Sequence, residues 1–263
     1  MCITRNILLL AFLSYLNGSP FELLDPVTEI TNAYRAAMDA NPDGEALIVT
    51  DFNGVLYDRP KGERATVETV TPIREFLQAV TSHPRNHVYV VSAKHPRDLN
   101  LLLGTVSNLG LSAEHNMAFK ERGAGRFRYV VAPKAAKEVL DEIDKLIEVL
   151  LSEQFKVDGY SFKIVNDKTD PEQYHIKVML DVKGKQTVIT NALQNKNSYV
   201  FGLSLGDKPA DQGMHIEMKK YGFLSAHVSE VEEVTQAYYT LNHPRDVARL
   251  FRLLASISNS FLK

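Results

Sequence analysis

Two patterns of apolar residues alternate along most of the chain. Largely apolar runs occur at 46–50, 87–91 and 199–205, which is typical of strands covered on both faces. Between such runs, apolar residues recur every three or four positions, as in 26–40 and 96–106, which predicts amphipathic helices. Because strands and helices alternate, we predict an α/β fold with a Rossmann-like parallel sheet as its core.

The middle of the chain has a different pattern. A short strand is predicted at 127–130 and an amphipathic helix at 135–151. In the two runs that follow, at 160–165 and 174–180, apolar and polar residues alternate. Such alternation is typical of strands with one solvated face. We therefore predict a small α+β cap inserted into the core. The predicted boundaries are 20–115 and 182–263 for the core and 116–181 for the cap.

The first 19 residues have the layout of a secretory signal peptide. Arg5 precedes an apolar run at 7–16, and small or turn-forming residues follow at 17–20. The run is too short to span a bilayer, so no stable membrane anchor is expected. We predict a secreted protein from this layout. The alternative is a cytoplasmic protein in which the segment is a buried helix or a membrane-associating arm.

Composition and charge narrow the classes of partner. Hydrophobic residues make up 44% of the chain and the formal net charge is −2, as in an ordinary soluble globular protein. A nucleic-acid partner would favour a basic surface and is not expected. No C-x-x-C pair or cluster of histidine and cysteine residues predicts a zinc site.

Polar residues follow the predicted buried strands at the positions where ligands bind in parallel sheets. Asp51, Ser92 and Asp207 each follow a strand, and Lys183 opens the helix before the last of these strands. An aspartate can attack phosphorus. A lysine and an oxygen-liganded Mg²⁺ can neutralise a phosphoryl group. These residue types therefore predict phosphoryl transfer with Mg²⁺ as the cofactor.

Four motifs in the sequence resemble those of the haloacid-dehalogenase superfamily. Its Asp-x-Asp-Gly-Thr/Val motif is matched by DFNGV at 51–55, and its serine or threonine after an apolar strand is matched by Ser92. Its lysine is matched by Lys183, which precedes Gly184 as in the sugar phosphatases that carry a cap. Its Gly-Asp-x-x-x-Asp motif is matched by GDKPAD at 206–211. All four occur in the family's order.

The resemblance implies a role for each matched residue. Asp51 would be the nucleophile, and Asn53 occupies the position of the general acid and base. Phosphate would be bound by Ser92, Lys183 and Gly54, with Lys185 and the cap lysines Lys163 and Lys168 as alternatives to Lys183. Mg²⁺ would be held by Asp51, by the backbone carbonyl of Asn53 and by Asp207, and Asp211 would orient one of these groups.

Within that superfamily, the sequence is most similar to the trehalose-6-phosphate phosphatases. SAK at 92–94 resembles their Ser-Gly-Arg, and AEHN at 113–116 resembles their Ala-Glu-His-Gly. Residues 235–247 resemble their closing strand and helix. The resemblance implies a small phosphosugar as the substrate, with trehalose 6-phosphate favoured. The candidate substrate-binding residues are Lys94, Glu114, His115, Lys168 and His175.

Three positions depart from the family's pattern. Asn53 replaces the second aspartate, and an amide cannot donate a proton to a leaving alkoxide as that acid does. Loss of a positioned acid typically lowers the rate by about 10²–10⁴. Lys208 replaces the second acid of Gly-Asp-Asp. Lys94 replaces an arginine and lacks its bidentate fork for phosphate or sugar oxygens.

Three functions remain open on the sequence. The first is a Mg²⁺-dependent sugar-phosphate phosphatase that forms an aspartyl phosphate on Asp51 and is weakened by Asn53. The second is an inactive pseudophosphatase that binds a phosphosugar or a protein partner and has a regulatory role. The third is a phosphatase of another small phosphomonoester, selected by an altered cap.

Overall fold

The structure is a computed structural model of the 263-residue chain. It describes residues 25–58, 63–129, 155–157, 160–166, 174–180, 184–194, 198–231 and 233–262. The predicted signal peptide and the predicted helix at 135–151 lie outside these residues, so both stay predictions. No helix within the described ranges is long and apolar enough to cross a membrane.

An eight-stranded sheet forms the centre of the fold. Its strands are β1 (Glu45–Asp51), β2 (Asn86–Val91), β3 (Leu109–Ala113), β4 (Ala118–Lys120), β5 (Arg128–Tyr129), β9 (Tyr199–Gly206), β10 (Leu224–Val228) and β11 (Tyr239–Leu241). Their order across the sheet is β11-β10-β9-β1-β2-β3-β4-β5. The first six strands in this order are parallel. The predicted Rossmann-like parallel core is therefore confirmed.

Six α-helices surround the sheet in the described part of the chain. They are α1 (Pro26–Ala40), α2 (Thr71–Thr81), α3 (Pro96–Leu103), α4 (Gln186–Gln194), α5 (Gln212–Lys220) and α6 (Pro244–Ser260). Side chains of β1 alternate between the two faces of the sheet. Ile48 packs in the larger apolar core together with residues of α1, α2, α3 and α6. Val49 packs in a smaller core with residues of α4 and α5.

A separate three-stranded antiparallel sheet follows in the middle of the chain. It consists of β6 (Phe155–Val157), β7 (Tyr160–Asn166) and β8 (Tyr174–Leu180), in that order. The backbone agrees with the two alternating strands predicted at 160–165 and 174–180. The predicted cap also included residues 118–129, but β4 and β5 instead pair antiparallel with the end of the main sheet. The short strand predicted at 127–130 is observed as β5, whereas β4 has only three residues and no pattern in the sequence predicted it.

A buried polar trio joins three distant parts of the fold. Tyr34 Oη of α1 lies 2.8 Å from Asn86 Oδ1 of β2 and 2.8 Å from Ser258 Oγ of α6. The Asn86 amide donates to Ser258 Oγ at 2.8 Å and to the carbonyl of Val80 at 3.0 Å. All three members of the trio are fully buried. Their hydrogen bonds to one another offset the cost of removing these polar groups from water.

Candidate active site

The candidate site lies where the order of the parallel strands reverses. From β1 the chain adds β2 and β3 on one side, whereas β9 lies on the other side and leads to β10 and β11. Ligands bind in open α/β sheets at the carboxyl ends of the strands at such a point. Asp51 is the last residue of β1, and Asp207 follows the last residue of β9. The two predicted carboxylates therefore come from neighbouring strand ends.

The loop after β1 is held by its own backbone. The amide of Gly54 donates to the carbonyl of Tyr57 at 2.8 Å, and the amide of Tyr57 donates to the carbonyl of Phe52 at 2.9 Å. Gly54 has φ +84°, and a Cβ at this position would collide with the carboxylate of Asp207. Glycine is required here for both reasons. The loop thus brings the backbone next to the carboxylate from the neighbouring strand end.

A buried ion network joins the nucleophile position to two other charged residues. Lys185 Nζ lies 2.9 Å from Asp51 Oδ2 and 2.6 Å from Asp211 Oδ1. The three side chains are only 5%, 6% and 0% exposed for Lys185, Asp51 and Asp211 respectively. Asp211 Oδ2 accepts from the backbone amides of Asp207 and Lys208, each at 3.0 Å. Asp211 therefore orients both the lysine and the loop that carries Asp207.

Burial and charge set the protonation of this network. Burial raises the pKa of Asp51 to about 6, against the attraction of Lys185, which lowers it. Burial acts to lower the pKa of Lys185, but the charges of Asp51 and Asp211 outweigh that effect and raise it. At neutral pH both partners are therefore charged. An ionised Asp51 carboxylate is the form that can attack phosphorus.

The lysine that contacts Asp51 is Lys185, the alternative that the sequence left open. Lys183 lies outside the described residues, and its predicted catalytic and phosphate-binding role stays a prediction. The two lysines are separated only by Gly184, so motif spacing alone could not decide between them. Lys185 is distinguished by burial among carboxylates that are distant in sequence, which no local pattern reveals.

Three carboxylates lie together and could hold a metal ion. One oxygen each from Asp51, Asp207 and Asp211 lies within 4.8 Å of the others. Asp207 Oδ1 is buried and has no hydrogen-bond partner among the described residues. Carboxylate oxygens are ligands that Mg²⁺ prefers, and an unpaired buried oxygen is costly without a cation or a donor. The donor set therefore fits Mg²⁺.

A second lysine lies on the open side of this cluster. Lys208 Nζ is 2.7 Å from Asp207 Oδ2 and donates to the backbone carbonyl of Asn53 at 3.2 Å. The Lys208 side chain is 53% exposed, whereas that of Asp207 is 15% exposed. The carbonyl of Asn53 is the atom that the family resemblance assigned to the metal. Lys208 thus contacts two of the predicted metal-binding groups.

Residues after β2 and β3 border the same strand ends. Ser92 is buried, and its hydroxyl accepts from the backbone amide of Lys94 at 3.2 Å. The carbonyl of Lys94 accepts from the amide of Glu114 at 3.0 Å, and Lys94 Nζ lies 5.4 Å from the centre of the Phe52 ring. Glu114 has φ +49°, a conformation that non-glycine residues rarely adopt and that is often found at functional sites.

The remaining substrate-binding candidates are described only in part. His115 lies in the short 3-10 turn Glu114–Asn116, and His175 lies in β8 opposite Val165. Only the backbone of these two histidines is described, and Lys168 lies outside the described residues. Their predicted roles therefore stay predictions.

A cleft of about 460 Å³ opens beside the loop after β1. Asn53 and Lys94 line it, together with Arg64, a residue that the sequence motifs did not single out. Nothing in the local sequence around Arg64 signals this position, because the residue precedes α2 in an irregular segment. A larger cavity of about 590 Å³ is lined by His87 and Tyr199. These lie near the starts of their strands, so we assign the candidate site to the smaller cleft.

A buried histidine lies beneath the ion network. His215 of α5 is fully buried, and its Nδ1 lies 3.0 Å from the hydroxyl of Ser204 on β9. Burial lowers the pKa of His215 to about 4. His215 Nε2 has no hydrogen-bond partner in the described part of the chain. His215 is therefore a neutral imidazole in the folded protein at neutral pH.

Comparison with known proteins agrees with this site and fold. Residues 49–164, fewer than half of the chain, match the trehalose-phosphatase family. A comparison with curated proteins found no match.

Three solved structures illustrate the structural likeness. Trehalose-6-phosphate phosphatase of Aspergillus fumigatus is 18% identical, with a TM-score of 0.65 over 88% of this chain and 98% of that one. The C-terminal domain of the Candida albicans trehalose synthase regulatory protein is 15% identical, with a TM-score of 0.59 over 86% and 98%. A haloacid dehalogenase-like hydrolase from Bacteroides thetaiotaomicron is 13% identical, with a TM-score of 0.52 over 79% and 98%.

At these identities the solved structures establish the fold. Together with the family match, they confirm that the chain has the haloacid-dehalogenase type of α/β fold and resembles the trehalose-phosphatases.

Proposed function

We propose that the chain is a phosphatase of small phosphate monoesters, with a sugar phosphate as the substrate and trehalose 6-phosphate favoured. The observation that carries this proposal is the buried contact between Lys185 and Asp51 at the end of β1. A buried, ionised carboxylate held by a lysine is suited to nucleophilic attack. The match to the trehalose-phosphatase family supports the choice of a sugar phosphate.

The reaction would proceed in two displacements. In the first, a carboxylate oxygen of Asp51 forms a bond to phosphorus while the bond between phosphorus and the sugar oxygen breaks, and the leaving oxygen takes a proton. In the second, water attacks the aspartyl phosphate, which releases inorganic phosphate and restores the carboxylate. Lys185 fixes the orientation of Asp51 throughout, because it is itself held by Asp211.

A divalent ion would supply charge neutralisation when bound. The groups that would hold Mg²⁺ are the carboxylates of Asp51, Asp207 and Asp211 and the backbone carbonyl of Asn53. Its charge would offset that of the phosphoryl oxygens in the transition state. On the protein side, Ser92 is a hydroxyl donor for the same group, buried at the neighbouring strand end.

Asn53 sets the expected rate. The leaving sugar oxygen needs a proton, and the amide of Asn53 cannot supply one as a carboxylic acid would. A positioned acid contributes about 10²–10⁴ in rate. We therefore propose a slow enzyme, in which water supplies the proton.

A second candidate function is phosphosugar binding without turnover, in a protein that regulates a partner. Two observations favour it. Asn53 removes the general acid, and the chain shares its fold with the C-terminal domain of a trehalose synthase regulatory protein. A third candidate is turnover of a different phosphomonoester. Lys94, which stands where the family has an arginine, and Arg64 both line the cleft and would alter its choice of substrate.

Phosphate release separates these candidates. The wild type, Asn53→Asp and Asp51→Asn would be assayed with Mg²⁺ on trehalose 6-phosphate and a panel of phosphosugars. We expect slow release by the wild type and none by Asp51→Asn. Asn53→Asp should be faster by up to about 10², because it restores an acid at the end of the nucleophile loop.

Each other outcome favours one alternative. Release from another phosphosugar, but not from trehalose 6-phosphate, supports the third candidate. No release from any substrate by the wild type contradicts the first and third. If Asn53→Asp then gains activity, the rest of the site is intact and the wild type is a binding protein.

A further inference from the structure

Lys208 lies where a cation would be expected. Its ammonium group contacts Asp207 Oδ2 at 2.7 Å and the Asn53 carbonyl at 3.2 Å. Asp207 is one of the three clustered carboxylates, and the Asn53 carbonyl belongs to the loop that follows Asp51. An ammonium that donates to a carboxylate and a carbonyl satisfies the same atoms that a hard divalent ion would bind.

The position of Lys208 is fixed by the backbone of its own loop. The amides of Asp207 and Lys208 both donate to Asp211 Oδ2 at 3.0 Å. Asp211 in turn is held by Lys185 at 2.6 Å. The side chain of Lys208 therefore extends from an ordered backbone. Its ammonium group stays near the carboxylates at a high effective concentration.

We propose that Lys208 is a resident cation of this pocket, which competes with divalent ions and contacts the bound phosphate group directly. The inference rests on the proposed phosphate-binding function of the site. A lysine ammonium has three donors, and Asp207 and Asn53 use two of them. Among the described residues the third donor has no partner, so it can donate to a phosphoryl oxygen. The pocket then binds phosphate with protein cations, Lys208 and Lys185, and depends less on a metal ion.

Competition with a metal can be measured without turnover. Mn²⁺ is a hard ion that takes the same oxygen ligands as Mg²⁺, and the signal of free Mn²⁺ in electron paramagnetic resonance reports binding. Mn²⁺ would be titrated into the wild type and Lys208→Met, which keeps an unbranched side chain and removes the charge. We expect Lys208→Met to bind Mn²⁺ at least about tenfold more tightly. The substitution removes a positive charge that repels Mn²⁺, and it frees Asp207 Oδ2 and the Asn53 carbonyl as ligands.

Lys220→Met is the matched control. Lys220 Nζ lies 2.7 Å from Glu217 Oε2, the same distance as in the Lys208–Asp207 pair, and its side chain is 61% exposed. Loss of a lysine charge on the surface should leave the Mn²⁺ affinity as in the wild type. Equal affinities of wild type and Lys208→Met, or no Mn²⁺ binding by either, would overturn the proposed competition.

Phosphate binding tests the second part of the inference. In excess EDTA, inorganic phosphate should raise the thermal unfolding temperature of the wild type and of Lys220→Met, and raise that of Lys208→Met clearly less. An equal rise in all three proteins, or no rise in the wild type, would contradict direct contact with phosphate. Neither measurement depends on catalysis, so failure of this inference is distinct from failure of Asn53→Asp to release phosphate.

Discussion

Two lysines in one pocket, Lys185 and Lys208, meet aspartates in opposite surroundings. Lys185 is 5% exposed and contacts Asp51 and Asp211, which are also buried. Lys208 is 53% exposed and contacts Asp207 and a backbone carbonyl. The buried half holds the predicted nucleophile and Lys185, which was an alternative for the family's lysine. The open half carries the substitutions, Asn53 and Lys208.

The difference shows which part of the chemistry each half controls. The buried half sets the charge and orientation of Asp51. Its three charged side chains, Asp51, Lys185 and Asp211, hold one another in place. Removing one of them therefore leaves a buried charge without its partner. In the proposed reaction, the open half would control proton transfer and the choice of cation. Its polar groups are accessible to water, which can hydrate a group whose partner has been replaced. Function can therefore change at Asn53 and Lys208 while the fold stays intact.

Removing the charge of each lysine in turn should give the largest difference in stability between the buried half and the open half. Lys185→Met leaves two buried carboxylates together, and we expect the free energy of unfolding to fall by about 3–5 kcal/mol at pH 7. Lys208→Met should lower it by less than about 1 kcal/mol, because an exposed ion pair contributes little. Urea unfolding followed by circular dichroism would measure both.

The pH dependence adds a control to this pair of variants. Burial raises the pKa of Asp51 to about 6 in the wild type, and loss of Lys185 should raise it further. At pH 5 the Asp51 carboxyl of Lys185→Met should take up a proton, and the loss of stability relative to the wild type should be smaller than at pH 7. If both lysine variants lose similar free energies of unfolding at pH 7 and at pH 5, the buried and open halves do not differ in their dependence on a lysine charge.

Gly54 joins the two halves, and replacing it should have the next largest effect. An alanine at position 54 would have to adopt a φ of +84°, and its Cβ would collide with the carboxylate of Asp207. We expect a loss of roughly 2–4 kcal/mol in thermal or urea unfolding, from backbone strain and overpacking together. Gly222→Ala is the matched control, because Gly222 has φ +74° but no atom within 4 Å of the added Cβ.

The control separates strain from collision. Gly222→Ala should lose only about 1 kcal/mol from its positive φ. If both alanine variants lose the same amount, the contact between the nucleophile loop and Asp207 is not tight.

His215 offers the smallest test of the buried half. Its pKa is lowered to about 4 by burial, whereas an unfolded histidine titrates near 6.5. The unfolded chain therefore gains a proton first, so the stability due to a neutral His215 is present above about pH 6.5 and is lost as the pH falls toward 4. As the pH falls between these values, the free energy of unfolding of His215→Gln should decrease by on the order of 2 kcal/mol less than that of the wild type.

Denaturant unfolding at pH 7 and pH 4.5 would measure this difference. Other groups, including Asp51, titrate in the same range, but they are present in both proteins and cancel in the comparison. Equal losses in wild type and His215→Gln would show that the imidazole becomes protonated in the folded protein without cost.

Much of the fold followed from the sequence because its signals are local. The helix predicted at 26–40 is observed as Pro26–Ala40, and the apolar run at 46–50 lies within Glu45–Asp51. Such strands are buried on both faces and need continuous apolar residues. By contrast, β4 has three residues and β5 two. β4 forms by backbone pairing with β3, and β5 by pairing with β4, so neither is marked by a periodic pattern.

The candidate site followed from the sequence only as far as its motifs. Asp51 and Asp207 were predicted to lie at strand ends that meet, and both do. Lys185 was only an alternative, because its contacts depend on Asp51 and Asp211, which come from other parts of the chain. The contact of Lys208 with the Asn53 carbonyl joins residues 155 positions apart. The sequence showed the substitution but not where the ammonium lies.

The buried trio of Tyr34, Asn86 and Ser258 has a consequence for the order of folding. Tyr34 and Ser258 are 224 positions apart, yet each fills the other's hydrogen-bonding capacity in the core. A ribosome releases the chain from its first residue onward, so Tyr34 and Asn86 are synthesised long before their shared partner. Until α6 emerges, the Ser258 hydroxyl is missing, and the Asn86 amide has only the Val80 carbonyl and water as acceptors. The sheet around β1 can therefore close fully only after α6 has been synthesised.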